Sequence, residues 1–453
     1  MTTTGNKTDT GVPAAMPNAF DPASAASLKP ALRSLVERRQ NVIAPSNRLF
    51  YSTPVDVVRA EGVHLFDTEG NEYLDAYNNV PAVGHCNPHV VEAISRQAGI
   101  LNSNTRYLTP TLVDYSERLL ATHHPAIDQV LYTCSGSEAN DLAIRMARYE
   151  TGGDAVIVTS NAYHGLTASI AEISPTLGPN VPLGAKTLTI DAPDYATDED
   201  AETVGAKMAS RVAEAIAHLE RHGMRLAAML VDTVFSSDGL ITGPAGFLGP
   251  VVDVVHAAGG FFIADEVQAG FGRTGEAMWG YQRHGITPDL VTMGKPMANG
   301  LPLAAVATQS EHAARFGRDI RYFNTSAGNS VCISAANAML DVFENDDILG
   351  NVRAVGRRML DGLTELTRRH ACATTARGAG LFVAVDLVDP ETGDPAPQLA
   401  AFVVNGLRER RILVSNTGPF ENVLKIRPPL VFSPQNAQHF LQELDAVLAE
   451  ATS

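Results

Sequence analysis

The sequence predicts an α/β protein. A mostly parallel sheet covered on both faces forms a large three-layer domain, and a smaller α+β C-terminal domain follows. Three observations carry this reading. Strand-like apolar runs at 130–133, 155–159, 227–231, 261–264 and 290–293 alternate with helical stretches or long loops, the pattern of parallel strands joined by crossovers. After about Ser330 the rhythm changes to long helical stretches with a few short strands. The chain has 453 residues, more than one ordinary core holds together, so two unequal domains are expected.

The elements follow in chain order. Residues 1–28 are rich in Thr, Ala, Asn and Pro without periodicity and read as a flexible N-terminal arm. The segment 29–75 is expected to pack with the small domain. Within it, VHLFDTEGNEYLD reads as a hairpin around the turn Glu69-Gly70-Asn71. The large domain is assigned to 76–330. Near its start, NPHVVEAISRQAGI places Val90, Val91, Ile94 and Ala98 on one helical face, with Asn87-Pro88 opening the helix. The small domain is assigned to 331–453. Helical stretches at 331–343 and 352–370 lead there to a strand at 381–387, a helix at 399–410 and short strands at 412–414 and 424–427. Ser433 and Pro434 open the last helix as N-cap and first helical residue.

Composition removes several classes of function. Hydrophobic residues make up 45% and charged residues 19%, so the chain can build a core. A net charge of −16 argues against a general nucleic-acid or membrane-surface binder, because a polyanion is repelled at long range. A small anion held in a local positive pocket stays open. Cys86, Cys134, Cys332 and Cys372 lie far apart with no CxxC pair, which indicates neither a disulfide framework nor a thiolate metal site. No apolar run reaches a membrane span, and the first residues lack the basic and apolar regions of a secretory signal. A cytoplasmic protein is expected.

Four stretches carry chemistry. In CSGSEANDLAIRMARYE a strand runs into Ser135-Gly136-Ser137, and a helix follows from about Glu138. Free N–H groups at a helix start, a Gly for close approach and a Ser hydroxyl make a phosphate cradle; in isolation the same turn reads as a plain helix cap. In AYHG, Tyr163 or His164 could stack on a flat ring, although in isolation a core aromatic with a capped turn is the simpler reading. In GGFFIADEVQAGFGRTG, Asp265 and Glu266 end an apolar strand, where open α/β sheets place ligand groups. Gly270, Gly272 and Gly275 also satisfy GxGxxG, but VQA intervenes and no helix opens there, so a dinucleotide site is not expected. In DLVTMGKPMANGLP, Lys295 sits among apolar residues just after a strand-like run, and Pro296 biases it towards extended backbone. Burial lowers the pKa of an ammonium and yields the free amine that a Schiff base requires.

Phosphate cup, ring aromatic, carboxylate and lysine are together the requirements of pyridoxal phosphate. In this order they resemble the class III aminotransferase family of fold type I, from about residue 30 to the C-terminus. The resemblance implies that Ser135, Gly136 and Ser137 form the phosphate cup and that Tyr163, beside His164, stacks on the ring. Asp265 would pair with the ring nitrogen, Val267 pack beneath the ring, Gln268 bond the ring hydroxyl and Lys295 carry the cofactor. Thr325, in FNTSAGNS, would reach the cofactor phosphate of a neighbouring subunit. A homodimer with active sites at the interface is implied, with a tetramer as the larger alternative.

Departures from the family pattern bear on the reaction. Many amino-acid-specific members carry an arginine that forks onto the substrate carboxylate in a segment like R-[IF]-A-P-[PS]-[LM]. Here the segment is LKIRPPL, with Lys425 in that arginine's place and Arg427 two residues on. Lysine lacks the planar fork. A Glu-Pro pair of the family is replaced in VDTVFSSDG, with Asp232 in the Glu position. YLDAYNNVPAVGHCNPHVV, with Asn78-Asn79, LNSNTRYL, TMGKPMANGLP, RYFNTSAGNS and ENVLKIRPPL resemble the ethanolamine-phosphate and phosphohydroxylysine phospholyase branch. That likeness implies β-elimination from an amine phosphate, with Lys425, Arg427, Tyr51, Asn78 and Asn79 as candidate substrate contacts and no metal. The alternative within the family is an ω-aminotransferase that uses a keto acid such as pyruvate or glyoxylate.

Overall fold

Strands rich in Val, Ile, Ala and Phe pair here into one seven-stranded sheet. A computed structural model of the chain describes residues 18–194 and 199–451. In it the strand order is Gln129–Thr133, Ala304–Thr308, Leu290–Met293, Phe261–Asp265, Leu226–Asp232, Ala155–Thr159 and Thr187–Ile190. Ala304–Thr308 runs antiparallel to both its neighbours, and the other pairings are parallel. The central strands are buried along almost their whole length, as expected where helices cover both faces. Side-chain alternation splits the sheet into two cores. Val156, Val158, Ala228, Leu230 and Ile263 face the helix Gly136–Thr151, whereas Ile157, Met229, Val231, Phe262 and Ala264 join the core packed by Ala201–Arg221 and Gly249–Ala257.

All five expected strands of this sheet are present. Ala304–Thr308 and the edge strand Thr187–Ile190 are two more that the sequence reading does not contain. Alanine-rich AAVAT has little strand propensity of its own, and burial between two neighbours is what makes it extended.

The C-terminal part holds a four-stranded antiparallel sheet, ordered Ala373–Ala379, Phe382–Leu387, Val423–Ile426 and Ser415–Thr417, with helices Ile348–Arg369, Pro397–Glu409 and Pro434–Ala451. The hairpin His64–Asp67 and Glu72–Asp75 forms as read, with Val57–Glu61 added on one side. On the other side Leu74 and Asp75 pair in parallel with Ile412 and Leu413. This pairing ties the chain just before Tyr77 to the C-terminal lobe. Ser433 Oγ accepts from Asn436 N at 3.1 Å, capping the last helix.

Two expectations are corrected. Of the arm expected at 1–28, residues 1–17 lie outside the described residues, while 18–28 are packed. Asp21 caps the short turn Pro22–Ser27, and Phe20 and Leu28 are buried against Val36. In the helix Pro88–Ala98 the buried positions are Val90 and Ala93, with Val91 and Ala98 exposed. The i, i+3 pair meets the long helix Ser330–Asn345, and the opposite face points outwards.

Candidate active site

The carboxyl ends of the parallel strands open into a cavity of about 200 Å³. Gly136, Ser137, Tyr163 and His164 line one side, and Asp265, Val267, Gln268 and Lys295 the other. Residues from four separate stretches of the chain thus meet at one place.

Lys295 follows the last residues of Leu290–Met293. Gly294 is fully extended, with φ −177°, and lies beside Gly136, whose N a Cβ there would meet in ordinary contact. Lys295 itself is not extended, contrary to the bias expected from Pro296. Its φ is +35°, and it starts the single 3-10 turn Lys295–Ala298, closed by Met297 N donating to Gly294 O at 3.0 Å. A side chain in this region costs roughly 1–3 kcal/mol. Burial, reinforced by the Arg427 charge, brings the Lys295 pKa down to about 8, with Asp265 and Asp232 opposing.

Asp265 is buried and accepts three hydrogen bonds. Asn140 Nδ2 donates at 3.0 Å and Val267 N at 3.1 Å, and His164 Nδ1 lies 2.7 Å from the carboxylate. His164 therefore meets Asp265 through the edge of its ring. Its Nε2 is buried without a partner among the described residues. Tyr163 lines the cavity beside it; burial and Asp265 push its phenol pKa up. Asn140 escaped the sequence reading. It lies one helical turn beyond Gly136 and so shares the face of the helix start, and Thr292 Oγ1 fixes it by donating to Asn140 Oδ1 at 2.6 Å. Glu266 points away from the cavity. Thr233 Oγ1, Gly280 N and Tyr281 N donate to it, and burial raises its pKa to about 7.

The helix Gly136–Thr151 starts two residues earlier than expected. Ser135 is its N-cap, its Oγ accepting from Glu138 N at 3.3 Å, and it is not part of the cavity lining. Gly136 and Ser137 are, in the first turn, where backbone N–H groups have no helical partner. A Cβ on Gly136 would come within 3.0 Å of both Val267 methyls. At Gly165, with φ +136°, a Cβ would overlap Ser137 Oγ at 2.4 Å. This cradle and the buried amine opposite it suit a phosphorylated aldehyde. The GxGxxG run opens no helix, and Arg273 within it is a buried strut donating to Leu381 O and Pro428 O.

Both substrate candidates of the C-terminal segment turn inwards. Lys425 and Arg427 are 8% and 7% exposed. Lys425 Nζ donates to Ser236 O at 3.4 Å and lies 5.7 Å from the Phe382 ring centre. Arg427 donates to Gln268 Oε1 and lies over the Tyr77 ring at 4.7 Å. Among the described residues neither forms an ion pair with a carboxylate. Burial, then Arg427, hold the Lys425 pKa well below its ordinary value, with Asp232 opposing and Lys295 adding to the depression.

The other candidates are placed differently. Tyr51 donates to Val414 O at 3.1 Å and is buried beneath the Tyr77 loop rather than in the cavity lining. Asn78 Nδ2 donates to Asp75 Oδ2 at 2.9 Å, so that side chain is committed to its own loop. Asn79 is 2% exposed, with Nδ2 unpartnered among the described residues. Thr325 is exposed and does not line this cavity.

With this geometry in place, similarity to known proteins is informative. Residues 46–448 match the model of the family described as aminotransferase class-III. An alanine–glyoxylate aminotransferase 2-like protein of Drosophila melanogaster is 38% identical, covering 90% of this chain and 85% of its own length. An ethanolamine-phosphate phospho-lyase homolog of Caenorhabditis elegans is 37% identical, covering 91% and 93%. Among solved structures, a phospholyase from Arthrobacter in complex with phosphoethanolamine superimposes with a TM-score of 0.89 at 42% identity, over 92% of this chain and 99% of that one. The strand order, the cradle at Gly136 and the buried Lys295 accord with these matches: the chain belongs to the class III aminotransferase family, with fold type I and pyridoxal 5'-phosphate as its cofactor.

Proposed function

We propose that this protein is a phospholyase that eliminates phosphate from O-phosphoethanolamine, or a related amine phosphate, to leave an enamine that water hydrolyses to an aldehyde and ammonia. The observation that carries the reading is the pair Lys425 and Arg427. Two buried basic side chains beside Lys295, without a carboxylate partner among the described residues, leave charge on Lys425 disfavoured until a ligand of opposite charge completes the pair. A phosphate monoester dianion matches both charges. A single carboxylate matches one, and Lys425 lacks the fork that would grip it.

The chain's own groups divide the work. Bound pyridoxal phosphate supplies the electron sink for a carbanion at the amine-bearing carbon. Gly136, Ser137 and the helix start would hold the cofactor phosphate, Tyr163 and Val267 would pack against its ring, and Asp265 would offer a fixed carboxylate to the ring nitrogen. Lys295, with its lowered pKa, is suited to carry the cofactor and then to take the proton from the amine-bearing carbon. Lys425 and Arg427 hold the phosphate and stabilise the charge that grows on the leaving oxygen as the neighbouring C–O bond breaks.

A homodimer belongs to this reading. Thr325 is exposed on its own chain, and Ile100, Leu101, Tyr107 and Leu108 form a run of exposed apolar side chains of the kind a second copy would cover. A second function, ω-amine transfer to a keto acid, is supported by the likeness to the Drosophila aminotransferase-like protein. One assay separates the two. The holoenzyme with O-phosphoethanolamine and no keto acid should release phosphate stoichiometrically with aldehyde. Background phosphate release, with fast alanine–pyruvate exchange, would reverse the assignment.

A further inference from the structure

The turn that follows the strand Leu226–Asp232 contains a polar hub. Ser236 N and Oγ donate to Asp232 Oδ2 at 3.0 and 2.5 Å, and Val234 N donates to Oδ1 at 3.2 Å. All three donors to the Asp232 carboxylate therefore come from its own turn, which is tight enough to hold Phe235 at φ +49°. Ser236 Oγ also accepts from Gln268 Nε2 at 2.5 Å, and Gln268 Oε1 in turn accepts from Arg427. Ser236 O accepts from Lys425 Nζ and from Thr417 Oγ1 at 3.2 Å. One residue thus touches the carboxylate, the glutamine that steers Arg427, and Lys425.

Asp232 is partly buried, lines the cavity and is near enough for its charge to act on Lys425. A carboxylate and a buried ammonium that both touch one turn residue favour an ion pair. That pair would occupy Lys425 and compete with an entering dianion. No such pair is present among the described residues, and the three hydrogen bonds of the turn satisfy the carboxylate. We propose that Ser236 is a positioning residue for the anion subsite: it locks Asp232 into its own turn and thereby keeps Lys425 and Arg427 open to a phosphate ester. This inference rests on the phosphate-subsite reading above, which it deepens by naming what keeps the subsite charged.

The test uses holoenzyme, in which the cofactor occupies the phosphate cup, and inorganic phosphate as the probe, with Kd read by calorimetry. Ser236→Ala removes the hydroxyl donor and leaves the carboxylate only the two backbone donors of the turn, which loosens it towards Lys425 and should weaken phosphate about tenfold or more. Asp232→Glu lengthens the side chain beyond the turn and should weaken it similarly without touching Ser236; it decides the matter alone if Ser236→Ala does not fold. The double variant Ser236→Ala/Asp232→Asn has no carboxylate to form the pair and should recover most of the lost affinity. The KM for O-phosphoethanolamine should follow Kd while the cofactor absorbance stays constant. Wild-type affinity in both Ser236→Ala and Asp232→Glu would overturn the proposal, as would a loss in Ser236→Ala that persists undiminished in the double variant. Wild-type holoenzyme that binds no phosphate would instead remove the phosphate-subsite reading itself, so the two failures are distinguishable.

Discussion

His164 Nδ1 and Asp265 Oδ2 lie 2.7 Å apart, with both side chains buried and Asn140 donating to the same oxygen. The carboxylate therefore cannot rotate freely in the cavity lining. Asp265→Asn should keep the fold and lose at least about a hundredfold in kcat/KM, since a neutral amide holds no proton on a ring nitrogen. Steady-state kinetics with a thermal melt checks this. Near wild-type turnover would place the ring-nitrogen partner elsewhere.

Lys295 should be the residue that carries the cofactor. Borohydride reduction of holoenzyme followed by peptide mapping should find the pyridoxyl group on the peptide containing Lys295 and on no other lysine. Lys295→Ala should retain cofactor non-covalently and lose turnover by several orders of magnitude, because both the covalent exchange and the proton transfer are removed.

The lowered pKa of Lys295 has a measurable sign. Only the neutral amine condenses with an aldehyde, and with a pKa of about 8 roughly one Lys295 in ten is neutral at pH 7. Cofactor capture by apoenzyme should accelerate roughly fivefold between pH 7 and 8 and level off above about pH 9. An ordinary lysine would keep accelerating beyond pH 10. Stopped-flow absorbance across this range distinguishes the two, and the absence of a plateau would show that burial does not lower this pKa.

Lys425→Ala should reduce kcat/KM for O-phosphoethanolamine by about tenfold to a hundredfold, the range for a charged hydrogen bond, with no change in the cofactor spectrum. Lys425→Arg restores a planar fork and should raise the relative rate on carboxylate-bearing amines. If both variants keep wild-type phosphoethanolamine kinetics, the phosphate lies elsewhere, with the unpartnered Asn79 Nδ2 as the next place to examine.

The sequence by itself determined whatever depends on neighbours along the chain. Strand runs such as AVIVT and LVTM, the N-caps at Asn87 and Ser433, a helix opening close after Ser135 and a lysine just past a strand are local patterns, because backbone hydrogen bonding and helix capping act over a few residues. The tertiary structure decided whatever depends on residues far apart in sequence. Asp265 and Glu266 are equally acidic neighbours, and only packing shows that one meets the cavity and the other Thr233 and the Gly280 turn. His164 became a partner of Asp265 across 101 positions, and Arg427 met Gln268 across 159. Ala304–Thr308 became a strand by burial rather than propensity. Periodicity reports which side of an element is buried, but two faces of this sheet are buried alike, so the direction of a polar side chain at a strand end is settled only when the opposing layer is in place.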